Sequence, residues 1–329
     1  MQINIKESNV IKEQDFYISD HVSIIYGYNN SGKTTVLKSI GNALCDKIKE
    51  NYFNDDSILY TYIPTNRVVI SDSIVGLPAI TDIEELIKYE EEIYKGYNGY
   101  NSHLKTLRDY LLKHKTINNF LFEVIKDLFC IELPRNDELF IEDKKYSDGI
   151  ENIINIYLNI IWLLTWNLNI DKLDYSKLKE TLANRQAYIL IDEIEMFLHV
   201  NIQAKLINAL KKDFSKCGFV LTTHSPLLLT RYSSSKIYNV EDGKLNILDQ
   251  KLFYQDLNRI FEVYFYVDEF PENVKQAINY LGDIITKKAK VDKSKIDEID
   301  KLLEEEYPSL HRKYNSAIVK AKFIGDNDV

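Results

Sequence analysis

The chain has 329 residues, of which 45% are hydrophobic, enough for one large core or for one core with an appended smaller domain. Its 41 lysines and arginines against 50 aspartates and glutamates give a formal net charge of -9, which argues against a general nucleic-acid coat protein. The three cysteines, Cys45, Cys130 and Cys217, lie far apart without Cys-x-x-Cys spacing, so neither a disulfide framework nor a thiolate zinc site is expected. This cysteine usage, with an N-terminus that alternates polar and apolar residues instead of resembling a signal peptide, predicts a cytoplasmic protein.

The first half of the chain predicts short strands, a helix that begins at a glycine-containing loop, and a helical insertion. Residues 22–26 form an apolar strand, residues 34–47 have helical spacing, and residues 58–63 form a further strand closed by a proline. Between about 82 and 135 the sequence turns to charged, helix-forming residues that we interpret as an insertion. One buried face of this insertion is marked at i, i+3, i+4 and i+7 by Leu121, Val124, Ile125 and Leu128.

The second half predicts an apolar helix, two buried strands, a hairpin and a helical end. Residues 153–168 are too few, and too often interrupted by asparagine, for a membrane span, so a buried core helix is predicted instead. Residues 188–191 and 219–222 are short buried strands. Residues 237–248 predict a hairpin around an Asp-Gly pair, which suits the positive φ of a tight turn. The sequence from residue 254 onward is helical in pattern.

Residues 27–34 read Gly-Tyr-Asn-Asn-Ser-Gly-Lys-Thr and have the spacing of a phosphate-binding loop. The glycines let backbone N–H groups converge on the β-phosphate, Lys33 supplies positive charge toward the β- and γ-phosphates, and the Thr34 hydroxyl is suited to ligate Mg²⁺. An apolar strand precedes the loop and a helix follows it, which places the phosphates at a helix N-terminus. We therefore predict Mg-ATP as the ligand, held by Gly27, Asn29, Asn30, Ser31, Gly32, Lys33, Thr34 and Thr35.

Two further predicted strands end in polar side chains suited to the same site. The strand at 188–191 runs into Asp192 and Glu193, and the strand at 219–222 is followed shortly by His224. Because ligands bind at the carboxyl ends of parallel strands, Asp192 can hold the Mg²⁺ shell, Glu193 can reach an attacking water, and His224 can contact the γ-phosphate. The alternatives are two solvated acids that merely end a strand, and a histidine with a structural hydrogen bond.

These elements together resemble the ABC ATPase superfamily, and specifically its soluble branch of OLD-like and SMC-like ATPases. The resemblance rests on residues 27–34, on 191–199 (Ile-Asp-Glu-Ile-Glu-Met-Phe-Leu-His) and on 222–226 (Thr-Thr-His-Ser-Pro). That branch typically shows Asn-Asn-Ser-Gly-Lys, Asp-Glu-Pro-Glu-x-x-Leu-His-Pro and Thr-His-Ser-Pro at these places. The match covers roughly 1–250 and implies an α/β ABC ATPase head with a mostly parallel sheet, flanking helices and an antiparallel β subdomain. The helical insertion belongs to this head, and residues 251–329 form a helical C-terminal appendage.

The resemblance also implies a signature loop between the first two motifs, which caps the γ-phosphate bound to the partner subunit. Residues 146–151 (Tyr-Ser-Asp-Gly-Ile-Glu) occupy that position. Ser147 can N-cap the helix that follows, and Gly149, after an aspartate, allows a tight turn that faces an anion. The usual pattern is Ser-Gly-Gly-Gln, and Asp148 departs from it by placing an acid near a phosphate. An ordinary capped helix start is therefore the alternative.

Other positions depart from the family pattern. Ile194 and Val200 stand where the branch has prolines, and no glutamine stands where a Q-loop is expected after the strand at 58–63. Residues 65–67 (Thr-Asn-Arg) occupy roughly that place, and Asn66 is the candidate substitute.

In such proteins two heads dimerise head to tail, so each ATP is sandwiched between one P-loop and the other subunit's signature loop. The resemblance therefore implies a homodimer in which Ser147 and Gly149 contact the nucleotide in trans. Lys33 and Mg²⁺ hold the phosphates while Glu193 orients or deprotonates the water. His199 aligns with the loop that crosses the dimer interface, which makes it a candidate interface residue rather than a metal ligand.

Several other functions of an ATPase of this kind are disfavoured. A transporter head is disfavoured because the second and third motifs belong to the soluble branch. An SMC-like tether needs long coiled coils, for which the spacing between Lys33 and Asp192 is too short. An OLD-type nuclease carries a Toprim domain after the ATPase, and residues 263–269 and 326–328 match its acidic motifs only faintly.

The remaining interpretation is an ATPase that regulates or recruits a separately encoded effector protein, a nuclease or a toxin. ATPases of this size and motif style resemble those of prokaryotic operons, often anti-phage defence systems. The alternative is a DNA-repair or chromosome-associated clamp that binds duplex DNA directly. A basic cluster, for which a solvated helix face is the favoured interpretation, is formed by Lys287, Lys288, Lys290, Lys293 and Lys295.

Overall fold

The computed structural model describes residues 1–8, 10–18, 21–50, 59–65, 104–105, 107–130, 146–230, 232–248, 271–286 and 290–327. By the clustering of its contacts the chain forms two compact units, Met1–Ile260 and Phe261–Val329. No helix within the described residues is both long and apolar enough to cross a membrane.

Eight strands lie in the described part of the first unit. Their bounds are β1 Gln2–Ile5, β2 Gln14–Tyr17, β3 Val22–Tyr26, β4 Leu59–Ile63, β5 Ala187–Ile191, β6 Gly218–Thr223, β7 Ser235–Glu241 and β8 Lys244–Ile247. β1 and β2 pair as an antiparallel ribbon, and the other strands form one sheet in the order β4-β5-β6-β3-β7-β8. Every neighbouring pair in that sheet is parallel except the β7–β8 hairpin. The predicted α/β fold with a mostly parallel sheet and antiparallel β elements is confirmed.

The helices of the first unit connect the parallel strands, as crossovers between parallel strands require. Their bounds are α1 Lys33–Glu50, α2 Lys115–Phe129, α3 Asp148–Thr165, α4 Tyr175–Asn184, α5 Val200–Asp213 and α6 Pro226–Thr230. α1 begins at the P-loop lysine, one residue before the predicted start, and ends three residues after the predicted end. α5 is the single helix expected between Glu193 and His224, and it returns the chain to the parallel strand β6.

The central strands of the sheet are covered on both faces, whereas the edge strand β8 is mostly exposed. β3, β5 and β6 are buried along their whole length, which explains why they read as continuous apolar runs rather than as alternating ones. α3 is almost entirely buried and carries Asn155 and Asn159 inside the protein, where the Asn159 side chain donates to the Asn155 carbonyl at 2.7 Å. The predicted core helix is therefore confirmed, although it ends at Thr165.

The hairpin and the insertion also follow the predicted pattern where they are described. The β7–β8 turn holds Asp242 and Gly243 at φ 49° and 74°, the two positive φ angles that a tight hairpin turn requires. The apolar stripe of α2 is buried as predicted, whereas about half of the predicted insertion at 82–135 lies outside the described residues. Arg108, in a short helical stretch of the insertion, forms an ion pair with Glu151 in the first turn of α3.

The second unit, where described, consists of helices. They are α7 Glu272–Ile285, α8 Lys293–Glu306 and α9 Pro308–Asn327. Their apolar faces share a core that includes Val274, Leu281, Ile296, Leu303 and Ile318. The sequence from 251 to 270, including the Toprim-like stretch 263–269, lies outside the described residues, as does Asp328.

Candidate nucleotide-binding and catalytic site

The predicted site residues follow four neighbouring strands at the same edge of the sheet. Tyr26 at the end of β3 pairs with Thr223 of β6, and Ile63 at the end of β4 pairs with Ile191 of β5. The residues that come next in the chain are the P-loop, Thr65, the Asp192–Glu193 pair and His224. Parallel pairing in this register brings together side chains that are up to 197 positions apart in the sequence, from Gly27 to His224.

The P-loop is a tight curl with no room for side chains at its glycines. A Cβ at Gly27 would lie 2.7 Å from the hydroxyl of Ser31, and one at Gly32, whose φ is 98°, would lie 2.7 Å from a methyl of Val10. The Lys33 ammonium donates to the carbonyls of Gly27 at 3.0 Å and of Tyr28 at 2.8 Å. The curl therefore holds one cation at its centre, as a phosphate cradle requires.

Lys33 is only 5% exposed, and its charge is set by two opposing effects. Burial lowers the pKa of Lys33, because it disfavours the charged ammonium. The carboxylates of Glu193, Asp192 and Glu195 act in the opposite direction and favour the ammonium. The acids at the end of β5 therefore compensate a cation that is withdrawn from solvent.

Asp192 is the centre of a cluster of three hydroxyl groups. Its Oδ2 accepts hydrogen bonds from Thr34 and Thr65, each at 2.9 Å, and its Oδ1 accepts one from Thr222. The Asp192 backbone N–H donates to the Ile63 carbonyl at 2.9 Å, which fixes the strand end against β4. A carboxylate next to a hydroxyl is the oxygen donor set that Mg²⁺ prefers, so Thr34 and Asp192 fit the predicted metal site.

Glu193 and His224 face each other beside this cluster. Glu193 Oε1 lies 3.5 Å from His224 Nε2, and both side chains are about one third exposed. Glu193 adopts a left-handed backbone with φ 44°, and its N–H donates to the Thr222 hydroxyl at 2.7 Å. A non-glycine residue at positive φ is costly, and such strain is concentrated at functional sites. The structure therefore brings the predicted base and the predicted phosphate sensor into one pair.

Glu195 is a site residue that the sequence analysis missed. Its Oε1 accepts from the backbone N–H of His224, and its Oε2 is buried with no hydrogen-bond partner among the residues that the structure describes. Burial raises the pKa of Glu195, although the hydrogen bond from His224 opposes the shift. The sequence did contain a signal for this residue, because the Asp192–Glu193 pair is followed two positions later by a second glutamate. That glutamate lies beyond the predicted strand end and was given no role.

The loop before α3 is only partly as predicted. Ser147 occupies the N-cap position of α3 with extended backbone angles, but its side chain makes no capping hydrogen bond. The prediction that the Ser147 side chain caps the helix is therefore wrong. The start of the helix is exposed at Ser147 and Asp148, so water can satisfy its first N–H groups. Gly149 is buried, and a Cβ there would lie 2.9 Å from the Phe197 carbonyl oxygen.

The remaining predicted positions have local explanations or lie outside the described residues. His199 is the N-cap of α5, where its Nδ1 accepts from the Asn201 N–H at 3.4 Å. Asn66 and Arg67 of the Q-loop candidate, and Lys287 and Lys288 of the basic cluster, lie outside the described residues. Lys295 of that cluster lies over the Tyr280 ring, with its ammonium 4.2 Å from the ring centroid.

Comparison with known proteins adds a family match at the centre of this site. Residues 178–230 match the model described as "AAA domain, putative AbiEii toxin, Type IV TA system". The matched segment contains β5, α5 and β6 together with Asp192, Glu193 and His224.

Three curated proteins have similar sequences. "Retron Ec83 probable ATPase" of Escherichia coli is 26% identical over 167 residues, which cover 48% of this chain and 30% of that protein. "Septu protein PtuA" of Bacillus mycoides is 28% identical over 229 residues (57% and 30%), and "Retron Vc95 probable ATPase" of Vibrio cholerae is 26% identical over 189 residues (56% and 36%). The aligned part thus spans about a third of the length of these relatives.

Solved structures with a similar fold include a dimeric bacterial ABC transporter cassette and the SMC head domain of Thermotoga maritima. The cassette is 18% identical with a TM-score of 0.37, and the alignment covers 74% of this chain and 94% of that one. The SMC head is 14% identical with a TM-score of 0.38, and the alignment covers 75% and 97%. The chain is thus similar in sequence to two probable retron ATPases and a Septu protein, and its segment with the second and third motifs matches an AAA domain model.

Proposed function

We propose that this chain is an ATP hydrolase that binds Mg-ATP at the described edge of its sheet. The observation that carries the proposal is the cluster in which Asp192 accepts hydrogen bonds from Thr34, Thr65 and Thr222, directly beside the Glu193–His224 pair. A carboxylate that is hydrogen-bonded to a P-loop hydroxyl, followed in the chain by an acid that faces a histidine at 3.5 Å, supplies the parts that phosphoryl transfer to water requires.

The chain's own residues supply binding, orientation and proton transfer. Lys33, held in the P-loop curl, neutralises charge on the β- and γ-phosphates, and the backbone N–H groups at the start of α1 face the phosphates. Glu193 orients the attacking water and accepts its proton, while His224 contacts the γ-phosphate from the neighbouring strand end. Thr34 and Asp192 would hold Mg²⁺, which would supply positive charge toward the phosphate oxygens.

We further propose that ATP joins two copies of the chain head to tail. In this arrangement Ser147 and Gly149 of one copy approach the nucleotide on the other, and His199 lies at the interface. The exposure of Ser147 and Asp148 supports this, since it leaves the start of α3 open to a partner, whereas Gly149 is buried against the Phe197 carbonyl of its own chain. The acidic Asp148 remains a departure from the family pattern.

We propose that the ATPase regulates or recruits a separately encoded effector protein, a nuclease or a toxin, in anti-phage defence. The similarity to retron ATPases and to a Septu protein supports this choice. The competing proposal is a clamp that binds duplex DNA directly, which the net charge of -9 disfavours. An ATP-dependent electrophoretic shift of duplex DNA by the purified chain alone would favour the clamp. An ATP-dependent complex with a neighbouring gene product would favour the effector.

Glu193→Gln tests hydrolysis and dimerisation together. The amide keeps the shape of the side chain but cannot accept the proton, so turnover should fall by about 10²- to 10⁴-fold while ATP remains bound. The closed dimer should then accumulate, because a ligand at about 100 times its dissociation constant stabilises the state it binds by about 2.7 kcal/mol. Sedimentation with Mg-ATP and with ADP measures this accumulation directly.

Glu180→Gln is the matched control for this experiment. Glu180 is exposed on α4, so its variant carries the same change of charge away from the strand ends and should hydrolyse ATP like the unmodified chain. Equal monomer fractions of Glu193→Gln in Mg-ATP and in ADP would refute the head-to-tail dimer. Undiminished hydrolysis by Glu193→Gln would refute the assignment of the base.

A further inference from the structure

The turn that follows β5 is bonded directly to the loop that carries His224. We define the turn as residues 193–199 and the histidine loop as residues 223–225. A carboxylate oxygen of Glu195 accepts from the His224 backbone N–H. Gln203, in the first turns of α5, accepts from the Ser225 hydroxyl at 2.6 Å and donates to the Leu198 carbonyl at 2.8 Å. Two side chains thus bridge the turn and the histidine loop at successive residues, 224 and 225.

The histidine loop is also held internally, so the bridges fix its position rather than merely touching it. The Ser225 N–H donates to the Thr223 hydroxyl at 2.9 Å, and Thr223 itself is fully buried at the end of β6. The His224 ring is the part of this loop that remains partly exposed, and it lies against Glu193. The placement of the ring therefore depends on where the bridges hold the backbone of the loop.

The turn has a defined shape of its own. Glu193 and Phe197 adopt left-handed backbone angles, with φ 44° and 61°, and backbone hydrogen bonds link residue 196 to 193 and residue 198 to 195. The start of α3 packs on the same turn, where the Asn152 side chain donates to the Met196 carbonyl at 2.6 Å. A Cβ at Gly149 would lie 2.9 Å from the Phe197 carbonyl oxygen, so the backbones of the two segments are in close contact.

We propose that Glu195 and Gln203 are positioning residues that hold His224 beside Glu193 and couple it to the turn on which α3 packs. Neither residue touches the reacting atoms, and each acts through the backbone of the histidine loop. A displacement at the start of α3, where the second copy is proposed to dock, is passed through the turn to the γ-phosphate side of the site. The inference rests on the proposed ATP hydrolysis and deepens it.

A double-mutant cycle between Glu195 and His224 tests the proposal. Glu195→Ala should lower kcat by a factor similar to that of His224→Ala, up to about 100-fold for a displacement of about 1 Å, while KM for ATP changes little. The double variant should be no slower than His224→Ala alone, because residues that act as a unit are not additive. Glu195→Gln should recover most of the turnover lost in Glu195→Ala, since its amide oxygen accepts the same N–H.

Two further measurements keep the test decisive. Glu180→Ala, an exposed change on α4, serves as the control for loss of a carboxylate, and thermal unfolding identifies variants that fail to fold. If Glu195→Ala unfolds, Gln203→Met removes both bridging bonds of the second residue and should show the same non-additivity with His224→Ala. Multiplicative losses in either cycle, or a Glu195→Gln variant as slow as Glu195→Ala, would overturn the proposal. Absence of ATP turnover in the unmodified chain would instead overturn the proposed function on which it rests.

Discussion

Thr222→Val removes one hydroxyl that orients two of the proposed functional groups at once. Thr222 is fully buried in β6, and its hydroxyl donates to Oδ1 of Asp192 while it accepts from the N–H of Glu193 at 2.7 Å. Valine has nearly the same shape but can make neither bond. The substitution therefore removes one hydrogen-bond partner from the buried Asp192 carboxylate and one from the backbone N–H of Glu193.

The loss can be estimated from the two bonds. A hydrogen bond to a charged acceptor contributes about 1.5 to 3 kcal/mol, and a bond between neutral groups about 0.5 to 1.5 kcal/mol. Asp192 keeps its bonds to Thr34 and Thr65, so we expect the free energy of unfolding to fall by about 2 to 3 kcal/mol, in the lower part of the combined range. Turnover should fall as well, because Asp192 and Glu193 both lose a fixed orientation.

Urea unfolding and steady-state ATP hydrolysis measure the two effects. Thr222→Ser is the matched control, since it keeps the hydroxyl and loses only one methyl group, which costs about 1 kcal/mol. We expect the serine variant to hydrolyse ATP and the valine variant to be both less stable and slower. A valine variant as stable and as active as the unmodified chain would show that the hydroxyl does not organise the site.

Three other substitutions address separate parts of the protein. Lys33→Ala should abolish ATP binding in calorimetry, because it removes the cation at the centre of the P-loop curl, and undiminished affinity would contradict the P-loop assignment. His224→Ala should bind ATP and ADP but hydrolyse slowly, whereas an equal loss of affinity for both nucleotides would contradict a contact with the γ-phosphate. Burial raises the pKa of Asp213, so the folded chain binds the proton more tightly than the unfolded chain, and the contribution of this group to stability falls as pH rises from about 4 through the raised value. Asp213→Asn can still accept a hydrogen bond from the Tyr157 hydroxyl. Relative to the unmodified chain and to Glu180→Gln, it should raise the unfolding temperature more at pH 7 than at pH 4. An equal change at both pH values would refute this linkage.

The parts of the site that the sequence predicted are those encoded by short motifs at strand ends. The P-loop spacing identified Lys33 and Thr34, and the buried strand before Asp192 placed that carboxylate at the edge of a parallel sheet. His224 could be placed because the interval after Glu193 leaves room for one helix, which is α5. In each case one residue spacing and one strand direction determine the position.

The supporting residues could not be predicted in the same way. Thr65, Thr222 and Gln203 are ordinary polar residues whose roles come from partners 127, 30 and 22 positions away. Such a role for a hydroxyl or an amide can be recognised only when the register of β4, β5 and β6 is known. The error at Ser147 has a related origin. The sequence shows that a side chain can cap the helix start, but it does not show whether water already binds the first backbone N–H groups of the helix.

The charges at the strand ends also explain why metal and nucleotide are expected to bind together. Lys33 is surrounded by the carboxylates of Glu193, Asp192 and Glu195, so the acids outnumber the buried cation. A triphosphate brought to this cluster alone would meet repulsion that burial strengthens, since charges interact more strongly where water is excluded. A divalent cation bound by Asp192 would offset the excess. Because of this excess of acids over the buried Lys33, we expect ATP binding to depend on Mg²⁺, so ATP affinity should fall sharply when the metal is chelated.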